Sequence, residues 1–179
     1  PAHSAFSSPT QMMHFIQQMR ELSGGKPIGF KICIGDKHEF IDICHAMQNT
    51  QIFPDFISVD GSEGGTGAAP LEFTDNLGMP LYDALAFVTK TLISFGLKKH
   101  VKVIVSSRIV TGFDILKVIA LGADACYIAR GMMFALGCLQ ALTCNEDVCP
   151  VGFAPHPPPL YKGPDLNDKY VSVAQFHRI

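Results

Sequence analysis

Apolar positions along this chain follow two rhythms that take turns. Met12, Met13, Phe15, Ile16, Met19 and Leu22 recur at three- and four-residue steps, the spacing of one helix face. Ser8-Pro9-Thr10 before them is a helix entry, and Ser23-Gly24-Gly25 after them a stop. Pro27 to Ile34 is then a short β-branched run, which predicts a buried strand. The alternation continues with a helix around Phe40, Ile43, Cys44 and Met47, a strand over Pro54–Val59 and a helix over Leu81–Phe95. A strand over Val101–Val105, a helix over Phe113–Leu121 and a short strand over Ala125–Ile128 follow, and Ala129-Arg130-Gly131 opens one more helix. Strand–helix alternation implies parallel strands joined by right-handed crossovers. The layout is that of a (β/α) barrel's catalytic face, with about four of its eight strands. Two unpaired sheet edges would then invite pairing with another copy.

The chemistry gathers where the predicted strands end. Lys31 is a charge inside an apolar strand, where an unpaired ammonium is costly, so it reads as functional. Asp60-Gly-Ser-Glu-Gly64-Gly65-Thr-Gly67 follows the second strand, and glycines this dense let the backbone approach a ligand closely. Asp60 and Glu63 stand at that rim, where each is equally an ordinary loop charge. Ser106-Ser107-Arg108 follows the third strand. Ala129, Arg130 and Gly131 lie between the fourth strand and its helix, a junction suited to an anion.

Cys138, Cys144 and Cys149 form a C-x5-C-x4-C-Pro spacing directly after an apolar run. Three thiolates suit a soft metal or an iron–sulfur cluster. Cys33 and Cys126 in strand-like runs, and Cys44 in a helical one, read as buried, inert thiols. The six cysteines do not have the spacing of a secreted disulfide scaffold, which favours a reducing cytoplasm. From Ala154 the composition shifts. Pro155-His-Pro-Pro-Pro159 excludes a helix or strand interior, and Asp168–Ile179 has the pattern of one more helix. The expected organisation is therefore a barrel portion over 1–154, with the cysteine loop at 138–150, and a proline-rich tail over 155–179.

At 179 residues and 47% hydrophobic, the chain is long and apolar enough for one core. A net charge of −2 without a basic block argues against nucleic acid as a partner. No apolar run approaches the roughly 20 residues of a membrane span. Pro1 in place of a methionine makes the chain read as a piece of something longer.

The run FKICIG, the loop DGSEGGTGAAPLEF, the segment SSRIVTGFDI, the junction ARGMMFALGC and the closing cysteine spacing together resemble the FMN-binding domain of glutamate synthase. They are most similar to stand-alone FMN-binding glutamate synthase-like proteins. The resemblance implies an α/β fold that is the C-terminal half of a TIM barrel. It implies FMN and a [3Fe-4S] cluster as cofactors, with Cys138, Cys144 and Cys149 holding the cluster. Lys31 would stand beside the flavin's pyrimidine edge and the substrate, as the catalytic cation. Asp60 would stand at the same rim, and Gly64, Gly65 and Gly67 would line the substrate side. Ser107, Arg108, Ala129, Arg130 and Gly131 would hold the FMN phosphate, largely through backbone N–H groups. Electrons from a donor protein such as a ferredoxin would pass through the cluster to the flavin, and on to an imino acid such as 2-iminoglutarate. The chain departs from glutamate synthases at Ile34-Gly35-Asp36 and at Ser106-Ser107-Arg108, both at the substrate and flavin rim. Other readings are an inactive half-barrel assembly, a structural metal module, and a phosphate-binding barrel without redox chemistry.

Overall fold

The structure, a computed structural model, describes residues 3–64, 72–161 and 166–178. Helix α1 (Pro9–Leu22) comes first, then β1 (Gly29–Cys33), α2 (Lys37–Thr50), β2 (Phe56–Asp60) and α3 (Leu81–Ser94). They are followed by β3 (Lys102–Ser106), α4 (Gly112–Ala120), β4 (Ala125–Cys126), α5 (Arg130–Leu136), α6 (Pro158–Tyr161) and α7 (Leu166–Phe176). The helices start where the sequence offers caps. Ser8 accepts from Gln11 N, Asp36 accepts from His38 N, and Thr111 and Asp114 form a reciprocal capping box.

The four strands pair in parallel in the order β1-β2-β3-β4. The order never reverses, so every right-handed crossover steps the same way and lays its helix on the same face. The molecule is thus an α/β partial barrel wall, not a doubly wound sheet with a switch point. Alternate residues divide the two faces. Phe30 and Ile32, Ile57 and Val59, Val103 and Val105, and Cys126 pack into the core under the helices. On the other face, Lys31, Ser58, Ile104 and Ala125 form one cross-strand row. Cys33, Asp60 and Ser106 form the next, toward the strand C-terminal ends.

Two expectations need correction. β1 is not a buried strand: none of its residues is fully buried, and the Lys31 side chain is 61% exposed. Cys33 is correspondingly exposed and not an enclosed thiol. The reason is position, since β1 is an edge of the described sheet and both residues sit on its helix-free face. The proline-rich stretch stays out of any helix interior, as expected: Pro158 and Pro159 stand in the first turn of α6, where no intrahelical N–H is required. The tail closes back on the barrel wall. α7 packs on α5, bringing the Phe176 ring against Gly131, where a Cβ would lie 3.3 Å from the ring. Among the described residues no helix is long and apolar enough to cross a membrane.

Candidate functional site

The strand C-terminal ends meet at a cavity of about 230 Å³. Lys31 comes to it from β1, Asp60 and Gly64 from β2 and its loop, and Ser107 and Arg108 from the end of β3. Ala129 and Arg130 come from the junction after β4. Gly131 lies buried just behind them, within contact of Ile128, Phe176 and Val110. Residues chosen from four separate stretches of sequence therefore converge on one space. Gly65 and Gly67, expected beside them, lie outside the described residues.

An ordered network lines this cavity. Lys31 Nζ pairs with Asp60 Oδ2 at 2.5 Å, and Ser106 Oγ donates to Asp60 Oδ1 at 3.0 Å. Glu63 accepts from Ser107 Oγ at 3.0 Å and from the Leu81 N–H at 3.1 and 3.2 Å. It thereby caps α3, whose own cap position is Pro80 and offers no side-chain oxygen. Arg108 Nη2 donates to both carboxylate oxygens of Asp75, at 2.9 and 2.8 Å. Its backbone stands at φ 44°, a left-handed position that costs a non-glycine residue energy and marks strain at the cavity rim. Ser58, between Lys31 and Ile104 in the cross-strand row, is buried, and its Oγ has no hydrogen-bond partner among the described residues. Burial, then the nearby Asp60 and Glu63 charges, push the Cys33 thiol above its ordinary value.

Sequence reasoning missed Tyr127 at the cavity and Asp75, the partner of Arg108. Tyr127 lines the space and stands directly after β4, so its place at a strand C-terminal end was the available signal. Ser106 lines it too, as its place in the Ser106-Ser107-Arg108 segment after the third strand suggests. Asp75 gave no signal, because its partner lies 33 residues away.

A second cavity, of about 350 Å³, adjoins the first: Ala129 and Arg130 line both. Its wall includes Cys138, Cys144 and Cys149, all free thiols. Burial raises the Cys149 thiol, but backbone N–H groups of Phe153, Val151, Ala154 and Gly152 outweigh it and hold the group below the ordinary thiol range. Among the described residues, no three His, Cys, Asp or Glu side chains are grouped so as to hold a metal ion.

The whole chain, residues 1–179, matches the family model described as a conserved region in glutamate synthase. The chain belongs to the glutamate synthase family. Among its relatives is the glutamate synthase large subunit-like protein YerD of Bacillus subtilis, 40% identical over 171 residues, which are 96% of this chain and 32% of that protein. Another is the archaeal glutamate synthase [NADPH] of Methanocaldococcus jannaschii, 42% identical over 163 residues, 90% of this chain and 31% of that protein. The chain thus spans about a third of the length of these relatives. Among solved structures, a flavocytochrome b2 variant with sulfite bound aligns with 66% of this chain and 28% of its own, at 21% identity and a TM-score of 0.46. A DHODH from Eimeria tenella in complex with ferulenol aligns with 70% of this chain and 38% of its own, at 20% identity and a TM-score of 0.43. The family's glutamate synthase membership agrees with the resemblance carried by the glycine loop and the cysteine spacing.

Proposed function

We propose that the chain is part of a glutamate synthase-like oxidoreductase in which FMN occupies the first cavity and a [3Fe-4S] cluster the second. One observation carries the reading: the two cavities share the wall Ala129–Arg130, so groups held in them would be neighbours. When bound, the flavin supplies hydride transfer and the cluster one-electron transfer. Lys31 places a cation, steered by Asp60, where negative charge develops. Backbone N–H groups of Ser107, Arg108, Ala129, Arg130 and Gly131 would hold the phosphate, and Cys138, Cys144 and Cys149 would hold the irons. The strained rim and the N–H groups around Cys149 fit such occupants. The substrate would be an imino acid such as 2-iminoglutarate, the electron donor a separate protein, and the exposed sheet edges a place for self-association.

Anaerobic purification followed by iron, sulfide and flavin quantification tests this. FMN together with iron and sulfide near 3:4 is expected. A colourless protein, or flavin without iron, would overturn the two-cofactor reading. Cys149→Ser should remove the iron and leave FMN bound.

A further inference from the structure

Two hydroxyls at the first cavity have their hydrogens already engaged. Ser106 Oγ donates to Asp60 Oδ1, and Ser107 Oγ donates to Glu63 Oε2, each at 3.0 Å. The direction of both bonds is fixed by chemistry, since an ionised carboxylate only accepts and a serine hydroxyl carries one hydrogen and two lone pairs. What each Oγ still offers the cavity is therefore lone pairs.

The carboxylates are themselves held. Asp60 Oδ2 is taken by Lys31 Nζ at 2.5 Å. Glu63 folds back over Gly61, where any Cβ would collide with Oε2, and takes the Leu81 N–H. Neither can turn away from its serine without losing a charge-assisted bond.

We infer that Asp60 and Glu63 are positioning residues that, through Ser106 and Ser107, make this side of the cavity a receptor for a hydrogen-bond donor on the ligand: an amine or imine N–H, or an alcohol O–H. Anion recognition falls to backbone N–H groups and to the arginine side of the same cavity. The inference rests on the reading of that cavity as the ligand site, and it narrows what can lie against the two serines. An amino or imino group of the substrate and the hydroxyls of a flavin's sugar-alcohol chain share the required chemistry. A phosphate oxygen lacks it.

Glu63→Gln gives the decisive variant. The Leu81 N–H needs an acceptor, so the new amide turns its oxygen there and its NH2 toward Ser107. Ser107 then accepts, and its own hydrogen is released into the cavity. Binding is read by amide NMR shifts of the 15N-labelled protein, titrated separately with methylammonium and sulfate, and by fluorescence with riboflavin and lumiflavin. Glu63→Gln should weaken methylammonium about five- to tenfold and tighten sulfate by a similar factor, the size of one hydrogen bond. Ser107→Ala should weaken the donor ligand by a like amount and leave sulfate unchanged. A response to methylammonium identifies an amine as the donor, whereas a lost preference for riboflavin over lumiflavin identifies the sugar-alcohol chain. Equal loss of methylammonium and sulfate in Glu63→Gln would reduce Glu63 to a structural brace and overturn the inference. So would a Ser107→Ala variant that loses sulfate alone. If Glu63→Gln does not fold, Ser107→Ala decides by itself. A protein that binds no flavin still answers through methylammonium and sulfate, so the two readings fail separately.

Discussion

Arg108 and Asp75 both stand in the left-handed region, at φ 44° and 67°, and Arg108, which lines the cavity, grips Asp75 with its side chain. The left-handed backbone costs Arg108 about 1–2 kcal/mol. Their pair is half exposed and contributes about 0.2–1 kcal/mol. Arg108→Gly relieves the first, loses the second, and adds about 0.5–1 kcal/mol of unfolded-state freedom. The three nearly cancel, so a thermal melt should shift by no more than a few degrees. A collapse of the melting temperature would mean that the clasp carries more than its exposure allows. Gly122 is the opposite case. It stands at φ 108°, and a Cβ there would lie 2.6 Å from Thr89 Cγ2, on a buried residue of α3. Gly122→Ala should cost about 1–3 kcal/mol, visible as a lower urea midpoint.

Caps decide how well the shorter elements hold. α4 is nine residues long and buries only Val118 fully, so packing contributes little to it. Its capping box joins Thr111 and Asp114 in both directions, and Asp114 Oδ2 also accepts from the Val110 N–H. Thr111→Ala should remove about 1 kcal/mol, with hydrogen exchange rising in α4 before it rises in β3. Uniform loss of protection across both would show that α4 does not open separately. α3 is longer and carries Leu85, Val88 and Leu92 into the core, yet it borrows its cap from Glu63 in the loop after β2. That borrowing links helix, loop and cavity, and explains why a residue with the look of a solvated loop charge matters to the site.

The whole molecule is tied by carboxylates that gain partners on folding. Asp55 loses some charge stability to burial, but Arg20 and the Ile28 N–H more than restore it; Asp124 does the same with Lys98 and the Val103 N–H. Asp114 is held down mainly by Thr111. All three titrate below their ordinary value of 3.8 in the folded chain. Their stabilisation is thus complete above that value and is lost as pH falls through the lower folded values. Denaturation midpoints should be flat from neutral pH to about 5 and drop below about 4, and Asp124→Asn should flatten part of that drop. An acid limb unchanged by the substitution would locate the sensitivity elsewhere. Self-association through the sheet edges belongs to this scale as well. Light scattering should report a dimer or larger species, and a clean monomer would rule it out.

The sequence alone determined the succession of strands and helices, because periods of two and of 3.6 residues are local properties of the chain. It also marked Lys31, Asp60, Arg108 and the Ala129–Gly131 junction, because each stands at the end of an apolar strand run and such ends share one rim in a parallel sheet. Burial of β1 was misread from the same runs, since apolar content says what a strand can bury and not whether a neighbour covers it. Only the tertiary structure decided which groups touch. Ser106 meets Asp60 across 46 residues and Ser107 meets Glu63 across 44, and those contacts depend on the paths of the intervening loops. The polarity of the cavity wall follows from these pairings, and no residue's own neighbours in sequence could have set it.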